Sequence, residues 1–143
     1  MDLEQLIAER AIYRQLVRFA RAMDARDWDA IAAVTLPEAT ADFGTGEIVG
    51  SDAIIKLMRS YLDHCGPTQH LLGNVLINVE GDRASSEAYV ADLHLGKGED
   101  EQLQFRTLGN YSDSWVQRDG TWYLLRRRKD NRATLGSFKV FEQ

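Results

Sequence analysis

Cysteine is almost absent from this chain. Cys65 stands alone, so no internal disulfide can form and no thiolate metal cluster can be assembled. A lone thiol suits a reducing compartment. Proline is nearly as scarce: Pro37 and Pro67 both fall between periodic segments, where they break neither a helix nor a ladder. No apolar run approaches the ~20 residues that a membrane span requires. The acidic start, Met1 to Gln5, has neither the basic nor the apolar region of a secretory leader, and a cytoplasmic protein is the expectation. Positive charge is in deficit, with 17 Lys and Arg against 22 Asp and Glu and a net charge of −5. No excess positive field is available to recruit phosphates, which argues against a nucleic-acid partner. The chain also lacks a phosphate loop, a dinucleotide fingerprint, a nucleophile elbow and a zinc-helix motif. Its histidines, at 64, 70 and 94, are too scattered to suggest a metal site, and none is expected.

What is present is the composition of one ordinary globular domain spanning residues 1–143, with 44% hydrophobic residues. A chain of this length buries roughly 68–70% of its unfolded surface and needs no staple. Residues 3–24 read as a long helix. Asp2 and Gln5 form a capping box, and Leu6, Tyr13, Leu16, Val17, Ala20 and Met23 recur at three- and four-residue steps. Asp27 caps a short helix from Trp28 to about Val34, which Pro37 follows. Residues 39–49 suggest a short strand and a glycine-rich turn. Ser51 or Asp52 is placed to cap a third helix running to about Cys65, and Gly66-Pro67 stops it. The period then changes from 3.6 to 2. Residues 69–79, 83–96, 103–118 and 121–129 favour strands, with Gly81-Asp82 and Asp119-Gly120 as hairpin turns. Helices followed by a meander of long antiparallel strands define an α+β fold, with the helices packed on one face of a curving sheet.

Asp24 is the most informative side chain. Helical positions advance about 100° each, so Asp24 lies on the face of Tyr13, Val17 and Ala20, the apolar one. An unpaired charge there is costly. Asp24 is therefore either a pocket carboxylate with a partner or a helix-end carboxylate bonding nearby amides. His70, opening the first long strand, is the natural partner. It titrates near neutral pH, and a carboxylate on one ring nitrogen would fix its tautomer and raise the basicity of the other; the alternative is a strand-end histidine without a task. On that strand His70, Leu72, Asn74, Leu76 and Asn78 alternate onto one face, and Leu71, Val75, Ile77 and Val79 onto the other. His94 is an auxiliary candidate for proton transfer or substrate bonding, or else it merely ends its strand. Tyr111 shares a face with Gly109, Asp113 and Trp115. In the basic run 126–129, Arg128 shares a face with Trp122 and Leu124 while Arg127 turns to the other. An inward Arg128 could hold an oxyanion; a solvated strand end is the alternative. The expected pocket lining is Phe19, Met23, Trp28 and Tyr61 from the helices. Leu72, Asn74, Val90 and Trp122 complete it from the strands.

The segment Met23-Asp24-Ala25-Arg26-Asp27-Trp28-Asp29, Gly50 before the third helix, Gln69-His70 with Asn74 behind it, Tyr111-Ser112-Asp113, and Asp119-Gly120-Thr121-Trp122 occur in a fairly specific order and spacing. In these the chain resembles, over nearly its whole length, the SnoaL-like branch of the NTF2-like superfamily, the group of scytalone dehydratase, bile-acid 7α-dehydratase and a hexachlorocyclohexane dehydrochlorinase. The resemblance implies an α+β barrel, or cone, with N-terminal helices packed in a strongly curved antiparallel or mixed sheet around a deep pocket. It implies Asp24 and His70 as an acid/base pair and His94 as a match to a second histidine. It also implies dehydratase-like lyase or isomerase chemistry without metal or organic cofactor on a small, largely apolar, carbonyl-bearing molecule. Bile-acid-dehydratase relatives carry a tyrosine five residues before the aspartate, where this chain has Phe19, so Tyr61, Tyr89 or Tyr111 would have to supply any phenol. A non-catalytic binding or assembly module, like the small subunits of ring-hydroxylating dioxygenases, and an epoxide or ester hydrolase share the fold and stay open as alternatives. A homodimer or higher homo-oligomer is the expected assembly, formed on the outer sheet face.

Overall fold

The structure is a computed structural model that describes residues 1–142. Its first helix, α1 (Leu3–Ala25), starts on the expected capping box: Gln5 N–H donates to Asp2 Oδ1 over 2.8 Å, and Asp2 N–H donates to the Gln5 side chain over 3.2 Å. Its buried stripe of Ile12, Leu16, Phe19, Ala20 and Met23 faces the sheet. Arg26 ends the helix in the left-handed conformation, at φ 57°. Its guanidinium then donates to the carbonyls of Met23, Leu62 and Gly66 and to the Thr68 hydroxyl, tying the end of α1 to the strand that follows the third helix. Asp27 caps α2 (Trp28–Val34) through the Ala30 amide. Strands β1 (Thr35–Asp42) and β2 (Glu47–Val49) form a hairpin, which begins earlier than the single strand expected over 39–49. The third helix, α3 (Ser51–Leu62), has Gly50 at its N-cap with φ 100° and no side-chain cap; neither Ser51 nor Asp52 serves, and the helix stops before Cys65.

Four long strands follow: β3 (Thr68–Glu80), β4 (Arg83–Leu95), β5 (Gln104–Arg118) and β6 (Thr121–Gly136). The six-stranded sheet has the order β2-β1-β6-β5-β4-β3. The β1–β6 pair is parallel and the others antiparallel, so the open, curved sheet is mixed. After β6, Gly136 takes φ 96° and leads into a 3-10 turn, Phe138–Phe141. Among the described residues no helix is long and apolar enough to cross a membrane.

Three bulges decide which residues face inward. In β3, Gly73 pairs with Tyr89 and Leu76 with Glu87, so Asn74 and Val75 oppose the single residue Ala88, and Asn74 adopts φ 51°. One extra residue inverts the alternation beyond it. Thus His70 and Leu72 face in, but so do Val75, Ile77 and Val79, which pack on the core, while Leu71 and Leu76 face out, 60% and 67% exposed. The uniform alternation expected for this strand is corrected accordingly. In β6, Leu125 is the extra residue opposite Ser114–Trp115 and Arg132 the extra residue opposite Leu108–Gly109. Trp122 and Leu124 point in before the first bulge, and Arg127 and Lys129 after it.

Candidate active site

The end of α1 and the start of β3 are held side by side by Arg26, and this places Asp24 against His70. The His70 ring donates Nδ1–H to Asp24 Oδ1 over 2.7 Å, and its backbone N–H donates to Oδ2 over 3.0 Å. The Thr68 hydroxyl, itself bonded by Arg26, donates to Oδ1 over 2.9 Å. Burial alone would raise the Asp24 carboxyl, but the side-chain and backbone bonds from His70, its charge and the Thr68 hydroxyl outweigh it and hold the carboxyl below its ordinary value. A carboxylate beside Nδ1 keeps the proton on that nitrogen and leaves a lone pair on Nε2. Nε2 has no protein partner, yet no buried side-chain nitrogen or oxygen among the described residues goes unpaired, so it opens onto the adjoining cavity, which His70 lines.

That cavity has a volume of about 470 Å³, in the range of small-molecule sites. Phe105, Phe138 and Phe141 meet edge-on at ring-centroid distances of 5.0–5.5 Å, and Tyr61 of α3 joins Phe141 at 5.4 Å. Together they form an apolar roof. Thr107, Lys129, Asn131 and Thr134 of β5 and β6 supply the polar part of the lining. Of the expected lining, Met23 and Tyr61 reach the cavity, as do His94 and Tyr111. Six residues do not. Phe19 and Trp122 are core side chains, Trp28 packs against the core from α2, and Val90 is fully buried beside its cross-strand partner Gly109. Leu72 packs on the core, and Asn74 sits exposed in the β3 bulge. Asp24 stands behind His70, its side chain 24% exposed against 5% for the histidine.

Arg128 is corrected. The Leu125 bulge turns it to solvent, where it meets Asp130, and sends Arg127 inward instead. Arg127 makes a two-pronged bond to Asp113, both arms 2.9 Å, and lies between the rings of Phe19 and Tyr111 at 4.3 and 3.8 Å. Burial works against its charge, but Asp113 holds its proton more firmly than usual. The pair is spent on structure and is closed to a ligand.

His94 adjoins His70, ring centroids 5.4 Å apart and planes at 89°. Its Nδ1 lies 3.2 Å from the Phe105 carbonyl and 3.5 Å from Asp92 Oδ1, two acceptors, so Nδ1 bears the proton. Burial presses its pKa down to about 4, opposed by Asp92 and assisted by His70 and Lys129. His94 is therefore neutral near pH 7. Donor atoms of His70, Asp92 and His94 lie within 4.8 Å of one another, the one grouping among the described residues that could hold a metal ion. However, both Asp92 oxygens are already engaged, Oδ1 by the Thr107 amide at 3.1 Å and Oδ2 by the Lys129 ammonium at 2.6 Å. Lys129 supplies the cation that Asp92 requires. It went unnoticed in the sequence because its inward direction depends on the bulge.

Curved sheet, helices filling its concave face and an aspartate–histidine pair at one end of an open hollow define an α+β cone of the NTF2-like kind. Within that class the chain belongs to the SnoaL-like domain family, whose profile matches residues 4–128. An uncharacterised protein of Mycobacterium tuberculosis is 32% identical over 81% of this chain and 80% of its own length. Among solved structures, a provisionally assigned scytalone dehydratase from Novosphingobium aromaticivorans superposes with a TM-score of 0.84 at 23% identity, covering 93% of this chain and 89% of that one. The type-3 hexachlorocyclohexane dehydrochlorinase of Novosphingobium barchaimii gives 0.83 at 18%, covering 96% and 94%.

Proposed function

We propose that the protein is a cofactor-independent, dehydratase-like lyase or isomerase acting on a small, largely apolar, carbonyl-bearing molecule. The observation that carries this reading is the His70 ring, bonded to Asp24 at Nδ1 over 2.7 Å and open to the cavity at Nε2. Nε2 takes the proton from the carbon next to the carbonyl, the electron pair moves onto the carbonyl oxygen as an enolate, and Asp24 steadies the resulting imidazolium. Collapse of the enolate expels a leaving group from the β-carbon, and the imidazolium returns its proton to that group. In an isomerase the proton returns to carbon instead. The dehydratase and dehydrochlorinase among the similar structures favour this class. A hydrolase would need a free cavity carboxylate, and Asp92 and Asp113 are both bound by cations. The open cavity with a basic nitrogen in its wall argues for an enzyme over a binding module. We assign homo-oligomerisation to the outer sheet face.

The test is deuterium exchange next to the carbonyl of a cyclic ketone such as 2-tetralone, followed by NMR in heavy water. The wild type exchanges above buffer background, and His70→Ala and Asp24→Asn each lose roughly 10²–10⁴-fold of the rate. Exchange at equal rates in wild type and His70→Ala would remove the proposal.

A further inference from the structure

The enolate of the proposed reaction needs a counterpart for its oxygen, and the structure offers one in the cavity lining that His70 and His94 share. Tyr111 and Lys129 are directly paired across the β5–β6 ladder, and both point into the cavity. Residues so paired have Cβ atoms about 4.5–5.5 Å apart, so their polar ends can converge on a single atom. An ammonium has three donors. Lys129 spends one on Asp92 Oδ2 at 2.6 Å and one on the Thr107 hydroxyl at 3.0 Å, and no described residue takes the third. The Tyr111 hydroxyl likewise has no protein partner and is not among the buried unpaired atoms, so the cavity reaches it. Burial pushes that phenol well above its ordinary value, which keeps it a donor at any physiological pH.

The Lys129 chain is held in this position. It crosses Gly109, where a Cβ would lie 2.9 Å from Lys129 Cε and 3.0 Å from Val90 Cγ1. Any larger residue would displace the lysine stem. The Arg127 guanidinium carbon lies over the Tyr111 ring, 3.8 Å from its centroid, and restrains the ring. A charged donor and a neutral donor, both immobilised and both with spare capacity toward one hollow, are what a developing oxyanion requires. We propose that Lys129 and Tyr111 together form the oxyanion site that receives the carbonyl oxygen of the substrate. This rests on the reading of His70 as the base, and it orients the substrate: oxygenated edge along β5 and β6, apolar body under the aromatic roof, acidic carbon toward His70.

The proposal is read without turnover by binding 4-nitrophenol, whose phenolate absorbs visible light and whose neutral form does not. In the wild type the bound dye ionises at lower pH than the free dye, corresponding to phenolate bound at least about tenfold more tightly than phenol, or one pKa unit. Lys129→Met alone would orphan the Asp92 carboxylate, so the informative variant is Lys129→Met with Asp92→Asn, which removes both charges together; it loses the preference. Asp92→Asn by itself leaves the ammonium without its counter-ion and strengthens the preference, a change of sign that a purely structural salt bridge would not give. Tyr111→Phe loses part of it. Equal phenolate preference in the wild type and the double variant, or none in the wild type, overturns the assignment. Because this readout involves no proton abstraction, it can fail while ketone exchange persists, or hold while exchange is absent, so the two readings fail separately.

Discussion

A histidine that stays neutral in the fold records its environment in the pH dependence of stability. In the unfolded chain His94 takes a proton near its ordinary pKa of 6.5, but in the folded chain not until about 4, because burial disfavours the imidazolium. Between those values the unfolded state binds the extra proton, so stability falls as pH descends through 6.5 and the loss is complete near 4. At about pH 5 it amounts to about 2 kcal/mol, on 1.36 kcal/mol per pKa unit. Asp24 and Asp92 are both held below the ordinary carboxylate value, so their contributions are lost only at lower pH, as it falls through their depressed pKa values. Urea unfolding at about pH 7.5 and pH 5 should therefore show a drop in the wild type that His94→Gln largely removes. The same drop in both proteins would mean that the His94 ring is not the group resisting protonation. The sequence alone left His94 between two uses. What the structure adds is the pair of acceptors at Nδ1: Asp92, two residues away on the same strand face, is visible in the spacing, but the Phe105 carbonyl belongs to the neighbouring strand and has no signature along the chain.

At the level of single elements, the helices were readable and the bulged strands were not. The Asp2–Gln5 box and most of the α1 stripe are local patterns, although Leu6 and Tyr13 of the expected stripe are exposed; the position of Asp24 offered His70 as a partner and left a helix-end carboxylate as the alternative. A bulge is one extra residue whose effect is global to its strand. Nothing in Leu124-Leu125-Arg126 announces that Leu125 is the extra residue, so the sequence leaves Arg128 open between an inward arginine and a solvated strand end and turns Arg127 to the other face. Asn74 carried a weak hint, since asparagine tolerates left-handed φ. The inverted register gives a direct contrast between neighbours in sequence. Arg127→Met leaves Asp113 buried and unpaired and should cost about 3–5 kcal/mol, whereas Arg128→Met, losing only an exposed pair, should stay within about 0.5 kcal/mol. Pairing Arg127→Met with Asp113→Asn removes the orphaned charge and should regain much of the loss. Denaturant midpoints read all three; a similar cost at 127 and 128 would contradict the bulge.

On the whole molecule, the concave face of the sheet is committed to the helices and the cavity, which leaves the convex face to account for. Its end nearest the cavity is apolar. The ladder lines up Leu71, Ala91, Leu108 and Ala133 in one row across β3 to β6, with Leu71 60% and Leu108 42% exposed. In the adjacent row Gln69, Leu93, Arg106 and Leu135 alternate polar and apolar, while Glu87, Ser112 and Arg128, with Leu76 beside Glu87, make the other half of the face mainly polar. The sequence pointed to this face but named Leu71, Val75 and Ile77; the β3 bulge keeps only the first outside. A contiguous apolar patch flanked by polar rows is the usual mark of a protein contact. Sedimentation of the wild type should accordingly give a multiple of the 16.2 kDa chain mass. Leu71→Lys combined with Leu108→Lys introduces like charges into the row, and the mass should fall toward that of one chain with unchanged circular dichroism. Both positions lie on the face opposite His70, so such a monomer should still bind ligand if the cavity is complete in one chain. A wild type that is monomeric at concentrations of about 100 μM would show that the patch is left uncovered.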